Sequence, residues 1–387
     1  MKILFITTYP LEYNTSANVR NMGLIFGLYK NGNDIYTYSS YPTDTNYYNG
    51  ELLKFPFKDR YWIDGIKKVT KGNTPTNKFG KIKTLLYRFY NYFSIYDRRS
   101  SLVKYIDSKK INIEFDLIIS SSDAKSAHLF AERLISQNKN ICKNWIQYWG
   151  DPFTNDISTN HLFGKSLVKK EEKRILSKAD KIVYVSPFTA DDIKIKYPCL
   201  NDKIFFLPIS YIESSEVSGS KSIFEQKNYK MVGYLGDYNS NNRNILPLVN
   251  VLNKEKFNSV IIGNSDIQIT STDYLKVKSR VLPSELKELT DKIDVYICLC
   301  NLKGTQIPGK VYHYVNSGKP IIIIVDGDYS KKLRKYFSSF NRFYICENNE
   351  SDIKDCLIRV MKENRYFDTP NELNPQHIAE HFILLPH

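Results

Sequence analysis

The chain has 387 residues, and its 55 Lys and Arg against 41 Asp and Glu give a formal net charge of +14. Hydrophobic residues make up 42% and charged residues 25% of it, which excludes a mainly disordered chain. The most apolar run, Ile321–Val325, is far shorter than the roughly 20 residues of a membrane-spanning helix, and the length predicts two domains.

Strands and helices are predicted to alternate along the first half of the chain. An apolar strand over Lys2–Thr7 precedes a helix over Ala17–Lys30, which ends at Asn31 and Gly32. The later predicted elements are Ile35–Ser39, Phe115–Ser120, Ala124–Ser136, Trp145–Trp149, Leu167–Ser177, Lys181–Val185, Pro187–Lys196 and Lys203–Leu207. This pattern is typical of a parallel sheet covered by helices on both faces.

A basic and aromatic segment, Lys54–Lys110, interrupts this alternation. It holds fifteen Lys and Arg against four Asp, and Lys81–Tyr105 has helical spacing of apolar residues. Such a segment fits an anionic membrane surface, nucleic acid or a solvated face of the protein. No nucleic-acid-binding motif accompanies it, so we expect no nucleic-acid partner. We expect a membrane-facing surface that includes Lys78, Lys81, Lys83 and Arg88.

A polar, Ser-rich stretch over Tyr211–Asn228 precedes a second alternation. Its predicted elements are Tyr229–Leu235, Asn244–Asn253, Ser259–Gly263, Ser284–Thr290, Val295–Cys300, Lys310–Ser317, Pro320–Val325, Phe343–Cys346 and Ser351–Glu363. We therefore expect an α/β protein with two doubly wound Rossmann-like domains, 1–212 and 213–368, facing a central cleft. A tail helix within 369–387 is expected to pack back on the first domain. Such domains bind ligands at the carboxyl ends of their strands.

The stretch from Gly304 to Pro320 suggests a binding site. Pro308 suits the first turn of a helix, and Gly309 lets a ligand approach the backbone closely. Free amides at a helix start favour an anion such as phosphate, and Lys310 adds a full positive charge. Spacing alone leaves two alternatives open, an anion site and a tight connection between elements.

This stretch resembles the Pro-x-Lys-x-x-Glu-Tyr-x-x-x-Gly-Lys-Pro signature of bacterial GT-B glycosyltransferases, in particular family 4 and its capsule, O-antigen and surface polysaccharide relatives. The matching residues are Pro308, Lys310, Tyr314, Gly318, Lys319 and Pro320. Weaker likenesses follow in the family's order at Lys2–Pro10 with Arg20 and Gly32, at Glu172–Ser186, and at Tyr234–Gly236. The resemblance implies sugar transfer from a nucleotide sugar to a glycan acceptor, which we expect to be lipid-linked. It also implies retention of anomeric configuration, no metal and no further cofactor.

The resemblance implies roles for individual residues. Arg243 and Lys310 would neutralise the leaving diphosphate, and Asp151 would contact the acceptor hydroxyl or the donor sugar. The residues implied around the donor nucleotide are Gly236, Asp237, Asn241, Thr305, Pro308, Gly309, Tyr312 and His313. Those implied around the acceptor or a phosphate are Ser16, Ala17 and Arg20. The alternatives are a surface role for Arg243 and a simple turn at Asp151.

Two departures from the family pattern leave further alternatives open. His313 stands where the family has a ribose-binding glutamate, and Thr305 stands at the paired position eight residues earlier. Ser16 and Ala17 lie where relatives often carry a Gly-Gly pair. A neutral imidazole bonds one hydroxyl where a carboxylate accepts two. A non-catalytic subunit of the same fold is therefore one alternative, and a basic nucleic-acid-binding protein is another.

A second motif, Asp326-Gly-Asp328, follows a predicted strand, as the metal-binding Asp-x-Asp of GT-A glycosyltransferases does. Asp-Gly is also a common turn, so we expect a loop here. The six cysteines show no Cys-x-x-Cys spacing, which fits a reducing compartment. We expect a cytoplasmic protein that is peripheral at the inner face of the cytoplasmic membrane.

Overall fold

The structure is a computed structural model that describes residues 1–13, 15–42, 55–63, 94–122, 124–157, 164–212, 231–363, 365 and 367–386. The chain divides into two compact units. Unit 1 comprises Met1–Pro208 and Ala379–His387, and unit 2 comprises Ile209–Ile378. The predicted membrane-facing residues lie outside the described residues; they are Lys78, Lys81, Lys83 and Arg88.

Unit 1 contains a seven-stranded sheet in the order β3-β2-β1-β4-β5-β6-β7, and every strand pair is parallel. The strands are β1 (Lys2–Ile6), β2 (Asp34–Ser40), β3 (Asp59–Ile63), β4 (Phe115–Ser121), β5 (Cys142–Trp149), β6 (Lys181–Tyr184) and β7 (Ile204–Phe206). Its described helices are α1 (Ser16–Lys30), α2 (Ala127–Gln137), α3 (Lys165–Lys178) and α4 (Pro187–Lys196). Consecutive buried residues in β1 and β4 show that both faces of the sheet are covered.

Local side-chain chemistry sets the ends of α1. The Thr15 hydroxyl accepts a hydrogen bond from the Asn18 amide at 3.1 Å, which satisfies a free amide of the first turn. Gly32 follows the helix with φ of 80°, a conformation that favours glycine, so the predicted helix end is confirmed.

The basic segment differs from its prediction where the structure describes it. Its residues 59–63 form the edge strand β3, which pairs with β2 and was not expected. The predicted α-helix over Lys81–Tyr105 is wrong at its end, because Arg98–Tyr105 is a 3-10 helix that begins at Asp97. The Asp97 carboxylate accepts from the Arg99 amide at 2.9 Å and from the Ser126 hydroxyl at 2.8 Å, which fixes this turn against the start of α2.

Unit 2 contains a six-stranded parallel sheet in the order β10-β9-β8-β11-β12-β13. The strands are β8 (Val232–Leu235), β9 (Ser259–Ile262), β10 (Leu275–Lys278), β11 (Val295–Leu299), β12 (Ile321–Val325) and β13 (Tyr344–Glu347). The described helices are α5 (Leu246–Lys254), α6 (Pro283–Lys292), α7 (Lys310–His313), α8 (Ser330–Ser338), α9 (Glu350–Glu363) and α10 (Pro375–Ile383), the last of which crosses the unit boundary at Ala379.

Both units are thus doubly wound parallel sheets, and the predicted α/β class is confirmed. In unit 1, the ring of Phe382 packs edge-on against Tyr148 with centroids 5.6 Å apart, which ties the chain's last residues to β5. None of the helices in the described ranges has both the length and the apolar character that crossing a bilayer requires.

Candidate functional site

Two loops of unit 2 are joined at the carboxyl edge of its sheet. One follows β8 and the other follows β11, and the Leu302 amide donates to the Asn242 carbonyl at 2.7 Å across them. The Asn301 side chain adds a second link, because its Oδ1 accepts from Arg243 at 2.8 Å and its Nδ2 donates to the Gln306 carbonyl at 3.1 Å. This edge is where doubly wound sheets bind their ligands.

Arg243 is held rigidly in the loop after β8. Its Nε donates to Asn301, and its Nη1 donates to the Asp237 carbonyl at 3.0 Å. The side chain is partly buried, and no carboxylate in the described part of the chain lies within ion-pair distance of it. A fixed guanidinium that bonds only to neutral oxygens retains its charge for an anion.

Lys310 is the second cation of this edge and the first residue of α7. It is partly buried, and its ammonium makes no hydrogen bond or ion pair within the described ranges. Burial lowers the pKa of Lys310 to about 8, with Arg280 and Arg243 adding to the effect while Cys298 and Asp237 oppose it. The structure therefore brings Arg243 and Lys310 close enough for their charges to interact.

Asp237 supports the loop through its carboxylate. The carboxylate accepts hydrogen bonds from two nitrogens of the Arg280 guanidinium, Nε at 3.0 Å and Nη2. It also accepts from the backbone amide of Asn264 at 2.9 Å. Burial acts to raise the pKa of Asp237, but these hydrogen bonds outweigh it and hold the pKa below its usual range. Beside it, a Cβ on Gly263 would lie 1.9 Å from the Gly236 carbonyl, so glycine is required where these two strand ends meet.

His313 ends α7 with a polar atom that lacks a partner. Its Nε2 is buried without a hydrogen bond in the part of the chain that the structure describes. Burial and the nearby charge of Lys310 lower the pKa of His313 to about 3, so the ring is neutral at physiological pH. A buried ring nitrogen without a partner is suited to a ligand hydroxyl.

Gln306 is a candidate that the sequence analysis missed. It follows Thr305 in the loop after β11, and both residues are buried. Both polar atoms of the Gln306 amide are buried without hydrogen-bond partners among the described residues. No sequence signal distinguishes it, because glutamine is common in loops and its burial here comes from tertiary packing.

The remaining predicted donor residues differ in exposure and in the contacts that they make. Asn241 is exposed in the loop after β8, and Pro308 and Gly309 precede α7 with partly buried surfaces. A Cβ on Gly309 would make only an ordinary contact of 3.6 Å, so glycine is not required there. Tyr312 is fully buried and its hydroxyl bonds to Tyr336 at 2.9 Å, so packing accounts for its position.

The Gly-Lys-Pro end of the motif has a structural role. The Lys319 ammonium donates to carbonyls at the end of α6, those of Asp291 at 3.2 Å and Ile293. Gly318 has φ of 69°, which ends the short helical segment, and Tyr314 stacks flat on Tyr296 with centroids 4.1 Å apart. These contacts fasten the segment that carries Lys310 to the sheet.

We expect Lys319→Met to lower the free energy of unfolding by about 1–2 kcal/mol, because it removes charge-assisted bonds to helix-end carbonyls. Nucleotide affinity should stay unchanged. Urea denaturation measures the first quantity and titration calorimetry the second. The exposed Lys362→Met, at the end of α9, is the matched control and should have no effect on either. Equal stability of the two variants would contradict this role.

In unit 1, the predicted acceptor residues lie on the first turns of α1. Ser16 is exposed and Ala17 is partly buried, whereas Arg20 is buried. Asp151 lies directly after β5, beyond Gly150, and is partly buried. These positions follow the carboxyl ends of β1 and β5 in a parallel sheet.

Glu172, the acidic residue of the segment that resembles the family, is a structural clamp. It is fully buried and accepts hydrogen bonds from the Phe153 amide, the Thr154 amide and hydroxyl, Lys196 and Tyr197. These five bonds hold the loop after β5 against α3 and α4. Because all its acceptor capacity is used internally, Glu172 is not a free site residue.

The Asp-Gly-Asp motif after β12 forms a turn. The Asp326 carboxylate accepts from the Gly327 amide at 2.8 Å and from the Asn348 side chain. Gly327 has φ of 68°, and a Cβ there would lie 1.9 Å from the Leu302 carbonyl. Within the described ranges, no group of three or more His, Cys, Asp or Glu side chains is arranged to hold a metal ion.

Part of the positive charge of the basic segment serves the fold of unit 1. Arg60 pairs with the buried Glu12 at 2.5 Å and stacks on Trp62 at 4.5 Å. Arg99 donates to the Thr8 carbonyl and the Ser40 hydroxyl, at 3.1 and 2.7 Å. These two arginines are therefore engaged within the protein and add little to a docking surface.

No protein-family model and no curated protein matches the chain. Solved structures do match over nearly its full length. The catalytic domain of starch synthase IV from Arabidopsis thaliana, bound to ADP and acarbose, has a TM-score of 0.60 at 9% identity, covering 98% of this chain and 94% of that one. The lipopolysaccharide outer core galactosyltransferase WaaB has a TM-score of 0.51 at 12% identity, with 99% and 95% covered.

The glycotransferase of kitacinnamycin also matches with a TM-score of 0.51 at 11% identity, covering 100% of this chain and 99% of that one. At these identities the likeness establishes the fold. The chain shares the GT-B fold of these proteins, with two Rossmann-like units.

Proposed function

We propose that the chain is a glycosyltransferase that takes a sugar from a nucleotide sugar, with the nucleotide bound by unit 2. The observation that carries the proposal is the pair Arg243 and Lys310 at the carboxyl edge of the second sheet. Both are partly buried, and neither has a carboxylate partner in the described part of the chain. Arg243 lies in the loop after β8, and Lys310 begins α7.

The chemistry of glycosyl transfer explains why two cations are needed. The bond between the anomeric carbon and the β-phosphate oxygen breaks, and negative charge develops on the departing nucleoside diphosphate. Cations fixed before the reaction stabilise that charge without reorganisation, which is the largest single contribution in many enzymes. Arg243 is fixed by its bonds to Asn301 and to the Asp237 carbonyl. We expect this pair to suffice without a metal ion.

The fold supports a nucleotide-sugar donor. One structure with the same fold is described as bound to ADP, and another is described as a galactosyltransferase. In unit 2, His313 and Gln306 carry buried polar atoms that lack hydrogen-bond partners among the described residues. In the sequence, both residues lie within four positions of Lys310. These atoms would gain partners in the hydroxyl groups of a ribose or a sugar.

We expect His313→Ala to raise the dissociation constant of the nucleotide sugar about three- to tenfold, the loss of one neutral hydrogen bond. The change in the dissociation constant should be nearly independent of pH between 6 and 8. The pKa of His313 lies at about 3, so the ring stays neutral throughout this range. Titration calorimetry measures it, with His381→Ala, an exposed histidine, as control. An unchanged constant would show that His313 does not contact the donor.

The finer features of the proposal concern the acceptor. We infer that the acceptor is a lipid-linked surface glycan, that transfer retains the anomeric configuration, and that the protein attaches to the inner face of the cytoplasmic membrane. The motif resemblance supports the inference about the acceptor, and the fifteen basic residues of Lys54–Lys110 support the membrane location.

Neutralising four basic residues should abolish binding to anionic liposomes; they are Lys78, Lys81, Lys83 and Arg88. Retained binding would contradict membrane attachment.

The function is tested by incubating the full chain with a panel of nucleotide sugars and detecting free nucleoside diphosphate. We expect release from one member of the panel, at a rate that an acceptor-containing membrane extract increases. Binding without release, with or without extract, would favour the non-catalytic subunit. Salt-sensitive binding to RNA or DNA, with no binding to any nucleoside diphosphate, would favour the nucleic-acid-binding alternative.

A further inference from the structure

Arg20 is a buried cation in unit 1 without a counter-charge. Only 4% of its surface is exposed, although it lies on the first turns of α1. Its Nη2 donates to the Ser121 hydroxyl at 3.2 Å and, at 3.5 Å, to the Asn21 side-chain oxygen. Its Nε is buried with no hydrogen-bond partner among the described residues.

The surroundings of Arg20 contain no compensating carboxylate. Within the described ranges, no Asp or Glu forms an ion pair with it. Its closest ring contact is with Tyr148, whose centroid lies 5.2 Å from the guanidinium carbon. Burying an unpaired charge is strongly unfavourable, and proteins normally avoid it by pairing the charge. An anion bound beside Arg20 would supply the missing counter-charge.

The atoms near Arg20 that lack partners are also hydrogen-bond donors. The Nδ2 of Asn21 is buried and unbonded, while its Oδ1 accepts from Ser121 at 2.6 Å. His128 lies close enough for the charge of Arg20 to act with burial in holding the pKa of His128 well below its usual range. Its Nε2 is likewise buried without a partner in the described part of the chain.

The hydrogen of the neutral His128 ring can be assigned from its neighbours. Trp145 Nε1 donates to the Ser120 hydroxyl oxygen at 2.8 Å, and that hydroxyl lies 2.8 Å from His128 Nδ1. Among the described residues, Nδ1 is the one acceptor within hydrogen-bond distance of the Ser120 hydroxyl, so we assign the hydroxyl hydrogen to the bond with Nδ1 and the ring hydrogen to Nε2. The unsatisfied groups of Arg20, Asn21 and His128 are thus all N–H donors, which suits an oxyanion.

The backbone after β5 leaves room for the guanidinium. A Cβ on Gly150 would lie 1.7 Å from Arg20 Nη1, so a side chain at this position would displace Arg20. The Gly150 amide donates to the Ser122 hydroxyl at 2.9 Å, which fixes the glycine in place. Asp151 is the next residue, so the guanidinium lies under the strand end where the acceptor was predicted.

We propose that Arg20, with Asn21 and His128, forms an oxyanion site in unit 1 that binds a phosphate or carboxylate group carried by the acceptor. Its assignment to the acceptor rests on the proposed function; the anion site itself rests on the geometry of unit 1. The bound group would neutralise Arg20 and accept from the free nitrogens. The acceptor is then an anionic molecule, such as a phosphorylated or acidic glycan.

The test uses the full chain with Arg243→Ala and Lys310→Ala, which removes the cations of unit 2. Inorganic phosphate and acetate are titrated separately by calorimetry, which distinguishes a phosphate from a carboxylate site. We expect one of them to bind at low salt, and Arg20→Gln to weaken that binding at least tenfold. Arg133→Gln, an exposed arginine of unit 1, is the control and should bind as before. Equal binding by the folded Arg20 and Arg133 variants, or no binding of either anion to the parent, would overturn the proposal.

Gly150→Ala provides a second route that keeps the charge. Its methyl group should displace the guanidinium and abolish anion binding even if Arg20→Gln fails to fold, and retained binding in folded Gly150→Ala would overturn the proposal. Nucleoside diphosphate binding is measured in parallel with Arg243 and Lys310 intact. If it survives Arg20→Gln, the proposed donor site stands whatever the phosphate result. If no nucleoside diphosphate binds the wild type, the proposed function fails while the anion site keeps its own test.

Discussion

Replacing Arg243 with alanine should lower kcat by about 10²–10³-fold, the loss observed when one fixed donor is removed from a developing negative charge. Arg243 is held by Asn301 and by the Asp237 carbonyl, so its guanidinium needs no rearrangement as the diphosphate departs. Because the leaving group carries less charge in the ground state than in the transition state, kcat should fall more than the donor's KM rises.

One control variant and one stability measurement separate the loss of kcat from a general loss of structure. Arg359→Ala removes an exposed arginine of unit 2 that pairs with Glu363 at 2.8 Å, and it should leave kcat unchanged. The free energy of unfolding of Arg243→Ala should fall by about 1–3 kcal/mol, because Asn301 loses a partner. A kcat within threefold of the wild type would show that Arg243 does not stabilise the leaving group.

The pH dependence of kcat/KM should show Lys310 losing its proton. Burial lowers the pKa of Lys310 from 10.5 to about 8, so the ammonium that meets the diphosphate is lost as pH rises through about 8. Above that pH, kcat/KM should fall about tenfold per unit, because this parameter reports the free enzyme. Lys310→Arg keeps its charge throughout this range, so its profile should lack the alkaline limb.

Protein stability should respond to the same titration with the opposite sign. The unfolded chain binds a proton at Lys310 up to pH 10.5, whereas the folded chain releases it near pH 8. Between these values the unfolded state binds more protons, so the contribution of Lys310 to the free energy of unfolding rises with pH. Lys310→Met should remove this rise in the free energy of unfolding.

An alkaline limb of kcat/KM that persists in Lys310→Arg would assign the activity loss to another group.

The sequence predicted every strand that the structure describes except β3 and β10. Apolar runs such as Lys2–Thr7 and Ile321–Val325 predict buried parallel strands, because helices on both faces demand apolar residues at every position. Lys310 stands at the start of a predicted helix, and the family resemblance implies its role and that of Arg243. The edge strand β3 was missed, because its charged sequence, Asp59–Ile63, reads as part of a basic surface segment.

Side-chain environments were beyond the reach of the sequence. Lys319 matched a family signature, yet its ammonium holds helix-end carbonyls, and only the packing of α6 shows this. Gln306 carried no motif, and its two unsatisfied amide atoms arise from burial in three dimensions. Arg20 was predicted near the acceptor, but its lack of a counter-charge depends on which residues the fold places around it.

A thermal-shift screen of the full chain against nucleotide sugars and their nucleoside diphosphates tests the central claim most directly. Ligand binding to the folded state raises the melting temperature by mass action. We predict a clear rise for the nucleotides of one base, present in the wild type and lost in Arg243→Ala/Lys310→Ala. No rise with any nucleotide, or a rise that the double variant retains in full, would contradict the assignment of unit 2 as the donor-binding unit.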